Sequence, residues 1–431
     1  MIKEIIKKKS VKNAGWLIGG KMAQMPIKLL VGILSARYLG PSNYGIINYV
    51  DAYTAFFMAF CILGINSVLV KEFINHPDDE GTILGTSLVL RAVSSFLSLV
   101  MIVSLVAVID ADRTIIMVAA LCSISLLFNI FEVFNFWFQA KLKSKVTAIV
   151  ALIAYTITSA YKLFLLFSNQ SIVWFAMAMS VDYIVVALLM ILAYKHYHGK
   201  KLAFSLQYGK SLLKISTPFI FPGIMVAVYT YTNKFLLKHI MSEADVGFFS
   251  TAVAICGMWT FILSAIIDSA VPLIMEARKD NIKLYEKRNK QLYAIIFYVS
   301  FFASVIISAG APLIISILYG SEYSAAVNPL RIITWYTAFA YLGAARNAWV
   351  VCENKQSHLK YLYLASAVLN ILLNLLFIPL FGASGAALAS LLTQIATIVI
   401  PLFIKDMRRN TIMIFQAIAL RGIGLKIGKT K

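Results

Sequence analysis

The chain has 431 residues, of which 60% are hydrophobic and only 13% charged, with a mean hydropathy of +0.82. A soluble chain of this size needs far more polar surface, so lipid is the solvent for most of it. The net charge of +20 does not point to nucleic acid, because the basic residues are spread over short connections between apolar runs.

In chain order, residues 1–13 are lysine-rich and read as a retained cytoplasmic N-terminus, since no small-residue cleavage site follows them. Apolar runs then fall near 14–38, 46–70, 84–109, 114–138, 146–168, 172–194, 215–240, 247–275, 293–318, 328–352, 361–380 and 384–404. A helix crosses the hydrocarbon core with roughly 20 residues, so these runs predict an all-α, polytopic integral membrane protein of about twelve transmembrane helices. The connections 1–13, 71–83, 139–145, 195–214, 276–292, 353–360 and 405–431 carry the large majority of the 39 basic residues. The opposite connections hold only Arg113 and Lys238, an asymmetry that places both termini in the cytoplasm.

The longest basic connection, 195–214, divides the spans six and six. Two six-helix bundles around a central cavity are therefore expected, residues 1–200 and 201–431, the second ending in a basic cytoplasmic tail. Pro26, Pro218, Pro222 and Gly223 interrupt spans, as helices bordering a substrate cavity often are interrupted. Cys61, Cys122, Cys256 and Cys352 lie far apart in apolar stretches and read as small filler, not as a metal or disulfide framework.

Charges inside the spans carry the functional signal. Each costs about 2.5–3.5 kcal/mol at the bilayer centre on insertion scales, so it needs a partner, water or a ligand. Lys21, Lys28, Arg37, Arg91, Lys162, Lys234, Arg331 and Arg346 face only Asp51, Glu132, Asp182 and Asp268. Arg37 and Arg331 lie near span ends, where their heads reach the interface. Lys21, Lys28, Arg91, Lys162, Lys234 and Arg346 are deeper and are the expected lining of a cationic cavity that binds an anionic substrate. Polar stripes at helical spacing extend that lining. Lys21, Gln24 and Lys28 share a face of the first span, Asn129, Glu132 and Gln139 one of the fourth, and Asn370 and Asn374 one of the eleventh. The same stripes also suit helix–helix hydrogen bonding. Asp51, Glu132, Asp182 and Asp268 are candidates for H⁺ or Na⁺ coupling, or for neutralising the cations. No other cofactor or metal is expected. A Walker A motif and a large soluble loop are both absent, so a transporter is expected and not an enzyme.

Residues 12–45, KNAGWLIGGKMAQMPIKLLVGILSARYLGPSNYG, resemble the opening of bacterial polysaccharide flippases of the MATE-like multidrug/oligosaccharidyl-lipid/polysaccharide superfamily. Ala36, Arg37, Leu39, Gly40, Pro41, Tyr44 and Gly45 match the A-R-x-L-G-P-x-x-Y-G pattern that ends their first span. VGFFSTA (246–252) and FGASGAALAS (381–390) are similar to two weaker motifs of the group. Many relatives carry an Asp late in the seventh span; here Asn233 and Lys234 stand instead. The resemblance implies a flippase that moves an undecaprenyl-pyrophosphate-linked oligosaccharide, such as an O-antigen or capsule repeat unit, from the cytoplasmic to the periplasmic leaflet of the bacterial inner membrane. It further implies ion-coupled alternating access, with a polymerase and glycosyltransferases of the same pathway as partners. A multidrug cation exporter of the same superfamily is the first alternative, disfavoured by the excess of cations. A non-transporting scaffold for polysaccharide assembly is the second.

Overall fold

The computed structural model describes residues 2–422, without the side chains of 2–14, 17, 18, 21 and 280. About 90% of it is helix, and there is no strand among the described residues. The first helix, α1 (Ile2–Ile62), holds two spans joined at Gly40, whose φ of 70° and ψ of 169° are not helical. That region of backbone space is open essentially to glycine alone, and Pro41 suits the first turn of the half that follows.

A short α2 (Asn66–Asn75) leads to α3 (Glu80–Ile109) and α4 (Arg113–Asn129). Asp112 caps α4, accepting from the amides of Thr114 at 2.7 Å and Ile115 at 3.1 Å. The fourth span continues through a single 3₁₀ turn, Ile130–Glu132, into α5 (Val133–Ala140). Next come α6 (Ser144–Phe167), α7 (Ile172–His196), α8 (Leu206–Ile240), α9 (Glu243–Gly257) and α10 (Thr260–Asp280). The expected span 247–275 is thus broken at residues 258–259. The chain ends with α11 (Ile282–Leu318), α12 (Val327–Cys352), α13 (Leu359–Val399) and α14 (Lys405–Ile418). α13 repeats the device of α1, with Gly382 at φ 55°, ψ −130°.

Nine helical stretches among the described residues are long and apolar enough to cross a membrane. Two of them, Met22–Asn75 with 54 residues and Gln356–Phe403 with 48, are long enough for two crossings each. With α12 and its 26 residues, the fold comes to the roughly twelve helices expected.

The chain forms two compact units, Met1–Tyr231 and Thr232–Lys431. The sequence predicts a division at residue 200, in the basic loop; the units instead divide inside α8. The physical reason is that the start of α8 packs back on the first unit. Tyr208 Oη donates to Glu72 Oε2 at 2.7 Å, the Ser205 amide donates to Thr86 Oγ1 at 3.1 Å, and Leu212 joins a core with Leu69, Phe134 and Trp137. The second unit has its own core around Tyr285, Tyr293, Leu342, Trp349 and Ile414.

Helix faces are sorted as lipid requires. On α3, Ser87, Arg91, Ser95 and Ser98 are buried while Val93, Phe96, Leu97 and Val100 are exposed. Small and hydroxyl side chains let neighbouring helices approach, and the large apolar ones meet acyl chains.

Candidate functional site

In the first unit, α3 projects Arg91 into the interior, where the side chain is 0% exposed. Its guanidinium donates to Asn66 Oδ1 at 3.3 Å, to Asn129 Oδ1, and to Glu132 Oε2 at 3.3 Å. Three acceptors from three segments match the fork of an arginine, and the carboxylate supplies the counter-charge. Two of the residues expected to line a cavity, Arg91 and Asn129, and one expected to couple an ion, Glu132, are therefore bound to one another. The 3₁₀ turn also interrupts the face on which Asn129, Glu132 and Gln139 were expected to align.

A second group of charges in this unit is not closed in that way. Lys162 on α6 is half-buried and lies in electrostatic range of Asp182 on α7 and of Lys28 and Asp51 on α1. Asp182 Oδ1 accepts from Thr158 Oγ1 at 3.2 Å, one turn before Lys162. Among the described residues, no direct hydrogen bond or ion pair engages the Lys162 ammonium. Lys28 is exposed, and Gln24 is half-buried one turn before it. The side chain of Lys21 lies outside the described residues. Two cations and two carboxylates from three helices are thus gathered around Lys162, which lies in range of the other three and is locked in a pair with none of them.

In the second unit, the stripe on α13 is engaged in packing. Asn374 Nδ2 donates to Asn233 Oδ1 at 2.6 Å and to Asn370 Oδ1 at 3.0 Å. Asn370 Nδ2 donates to Thr393 Oγ1 at 3.2 Å, and Asn233 Nδ2 to Ser390 Oγ at 2.8 Å. Both amides expected to line a lumen, Asn370 and Asn374, are at most 1% exposed and join α8 to the two halves of α13. Arg346 is 2% exposed and donates to the Thr397 carbonyl at 2.7 Å. Lys234 is half-buried and engaged, whereas Asp268 and Arg331 are exposed. Sequence reasoning passed over Asn66, Ser390 and Thr393. Asn233 was visible as the residue standing where relatives carry Asp, and its neighbours on α13 explain why an amide fits there.

A family model described as "Polysaccharide biosynthesis protein" matches residues 10–278. The chain belongs to that family. CapF, a capsular polysaccharide biosynthesis protein of Staphylococcus aureus, is 21% identical over 403 residues, covering 90% of this chain and 97% of CapF. Among solved structures, an inward-facing multidrug resistance MATE family transporter of the MOP superfamily superposes with a TM-score of 0.69 at 15% identity. That match covers 91% of this chain and 96% of the transporter. The lipid II flippase MurJ, in an inward closed conformation, superposes with a TM-score of 0.69 at 16% identity, covering 94% of this chain and 92% of MurJ. This member of the polysaccharide biosynthesis family is therefore a multi-pass membrane protein with the MATE-like fold. The motif that first suggested the family has a structural basis here. Ala36 and Leu39 are buried, Gly40 makes the turn between spans, and Arg37 is exposed beside it.

Proposed function

We propose that the protein is a flippase that carries an undecaprenyl-pyrophosphate-linked oligosaccharide from the cytoplasmic to the outer leaflet of the bacterial inner membrane, by alternating access. The observation that carries this reading is the open charge group Lys28–Asp51–Lys162–Asp182. The half-buried Lys162 ammonium gains most from an anion it can contact directly, and a diphosphate is a stronger partner than two carboxylates at a distance. When the diphosphate meets Lys28 and Lys162, Asp51 and Asp182 lose their counter-charge and take up H⁺ or Na⁺. Substrate binding and ion binding are coupled by that exchange.

The family and the fold shared with MurJ support this reading. The MATE fold also occurs in multidrug transporters. Two cations beside the two acids leave no net negative charge for an organic cation, which disfavours that alternative. Both termini are assigned to the cytoplasm from the basic connections. The test is reconstitution in liposomes with a fluorescent lipid-linked oligosaccharide. Wild-type protein is expected to translocate it, and Lys162→Ala to lose at least tenfold of the rate. Drug efflux without lipid translocation would establish the exporter; neither activity would favour the scaffold.

A further inference from the structure

Away from the membrane-embedded charges, two basic connections of the first unit, 139–145 and 195–214, and the acidic connection 71–83 meet around a cavity of about 430 Å³. Glu80, Lys141, Lys143, Tyr197, His198 and Lys200 line it. Lysines on a membrane protein's loops are ordinarily mobile heads that satisfy the positive-inside tendency. These are restrained and face a concavity. Lys200 Nζ donates to the carbonyls of Pro77 at 2.9 Å and Asp78 at 3.0 Å. Lys141 pairs with Glu80, which is 3% exposed and also accepts from Trp137 Nε1 at 2.9 Å. Lys143 Nζ sits 4.1 Å from the centre of the Tyr197 ring, and no carboxylate engages it among the described residues.

The backbone beneath them is fixed as well. α5 ends with Leu142 at φ 54° and the Lys143 amide donating to the Phe138 carbonyl at 2.8 Å. α7 ends in the same manner, with His198 at φ 53° and the Gly199 amide donating to the Tyr194 carbonyl at 3.0 Å. Tyr194 Oη then donates to the Lys200 carbonyl at 2.7 Å. The Tyr194 ring lies so close under Gly199 that a Cβ there would collide with it. Three lysines against the buried Glu80 and the exposed Asp78, whose Oδ1 lies 3.7 Å from Lys200 Nζ, make a pocket that is cationic and already organised, and a ligand therefore pays little ordering cost to enter. Its volume falls in the range of about 300–1,000 Å³ usual for small-ligand sites.

The start of α6 connects this pocket to an apolar surface. Lys145 Nζ lies 5.1 Å from the Trp16 ring centre, and Gly19, Gly20 and Ala23 of α1 together with Ala148 and Leu152 of α6 line a groove of about 550 Å³. From Lys143 to Ala148 the helix rises roughly 8 Å. A diphosphate in the pocket with a hydrocarbon chain attached would find an apolar wall at that distance.

We propose that the pocket receives the diphosphate headgroup of a lipid at the cytoplasmic surface, with the hydrocarbon chain in the α1–α6 groove, before the lipid reaches Lys28 and Lys162. The orientation and the lipid rest on the function proposed above; the pocket does not. The experiment uses the full chain in phosphatidylcholine nanodiscs and titrates inorganic pyrophosphate and farnesyl pyrophosphate by calorimetry. Lys162→Ala serves as background so that the embedded lysines do not contribute. Both probes are expected to bind, farnesyl pyrophosphate at least tenfold tighter, and Lys143→Gln/Lys200→Gln to weaken both at least tenfold. Lys283→Gln, on the second unit, is expected to change neither.

Equal binding in the Lys143/Lys200 variant overturns the pocket and leaves the transport reading intact. Loss of both probes when phosphatidylglycerol is added to the nanodisc also overturns it, by making the site one for bulk anionic lipid. Lysine-dependent pyrophosphate binding in a protein that translocates no lipid-linked oligosaccharide overturns the transport reading and leaves the pocket standing.

Discussion

Replacing Arg91 by Met keeps most of the apolar stem and removes the fork. Three acceptors then lose their donor: the amide oxygens of Asn66 and Asn129 and the carboxylate of Glu132. A stranded buried polar group costs about 1–3 kcal/mol. Within membranes, coupling between side chains averages about 0.6 kcal/mol, because the unfolded reference also finds partners. Asn129 is 4% exposed and bears the full penalty, whereas Glu132 is 37% exposed and is partly relieved by its surroundings. The expected loss is about 2–4 kcal/mol for Arg91→Met. Glu132→Gln retains an acceptor but leaves the buried cation without its counter-charge, for about 1–3 kcal/mol. The double variant should lose less than the sum, with a coupling of about 1–2 kcal/mol. Equilibrium unfolding in mixed micelles titrated with dodecyl sulfate measures all four corners of the cycle. Additivity within about 0.5 kcal/mol would refute the pair. Arg91→Lys should recover little, since an ammonium cannot span three acceptors in the fork geometry. Arg91 variants should accordingly lose protein as well as polymer in cells, unlike variants of Lys162.

The remaining expectations follow the same geometry. Lys162→Ala should leave the melting temperature in detergent near wild type while translocation falls at least tenfold; a matched loss of both would make Lys162 structural. Gly382→Ala forces a Cβ into backbone space suited to glycine and within 2.9 Å of Asp245 Oδ1, and should cost about 1–3 kcal/mol in the same micelle titration. An unchanged unfolding midpoint would show that α13 turns by another route. Asn374→Leu removes the donor to Asn233 Oδ1 and should cost roughly 1–2 kcal/mol, read as a lower melting temperature; unaltered melting would mean that the amide network contributes nothing to the second unit.

Composition and periodicity by themselves determined that this chain lives in lipid, that it crosses about twelve times, and where it reverses. Those properties are local. An apolar run long enough to span is visible in twenty consecutive residues, and a reversal at Gly40 or Gly382 needs only a residue that tolerates its dihedral angles. The surplus of cations over acids was equally legible as a count, but a count does not say which charges meet. Arg91 and Glu132 lie on different helices, and nothing in either helix's spacing announces the other. The asparagines of α13 illustrate the same limit, because a polar face at helical spacing has one appearance whether it borders water or another helix. Only the packing of α8 against α13 decided for the helix, by bringing Asn233 to Asn374. Tertiary structure likewise turned lysines of two separate loops into one pocket beside Glu80 of a third and left Lys162 among charges it does not directly touch. Transmembrane segments are set by burial along one axis, whereas pairing of charges is set by distances between segments remote in the chain.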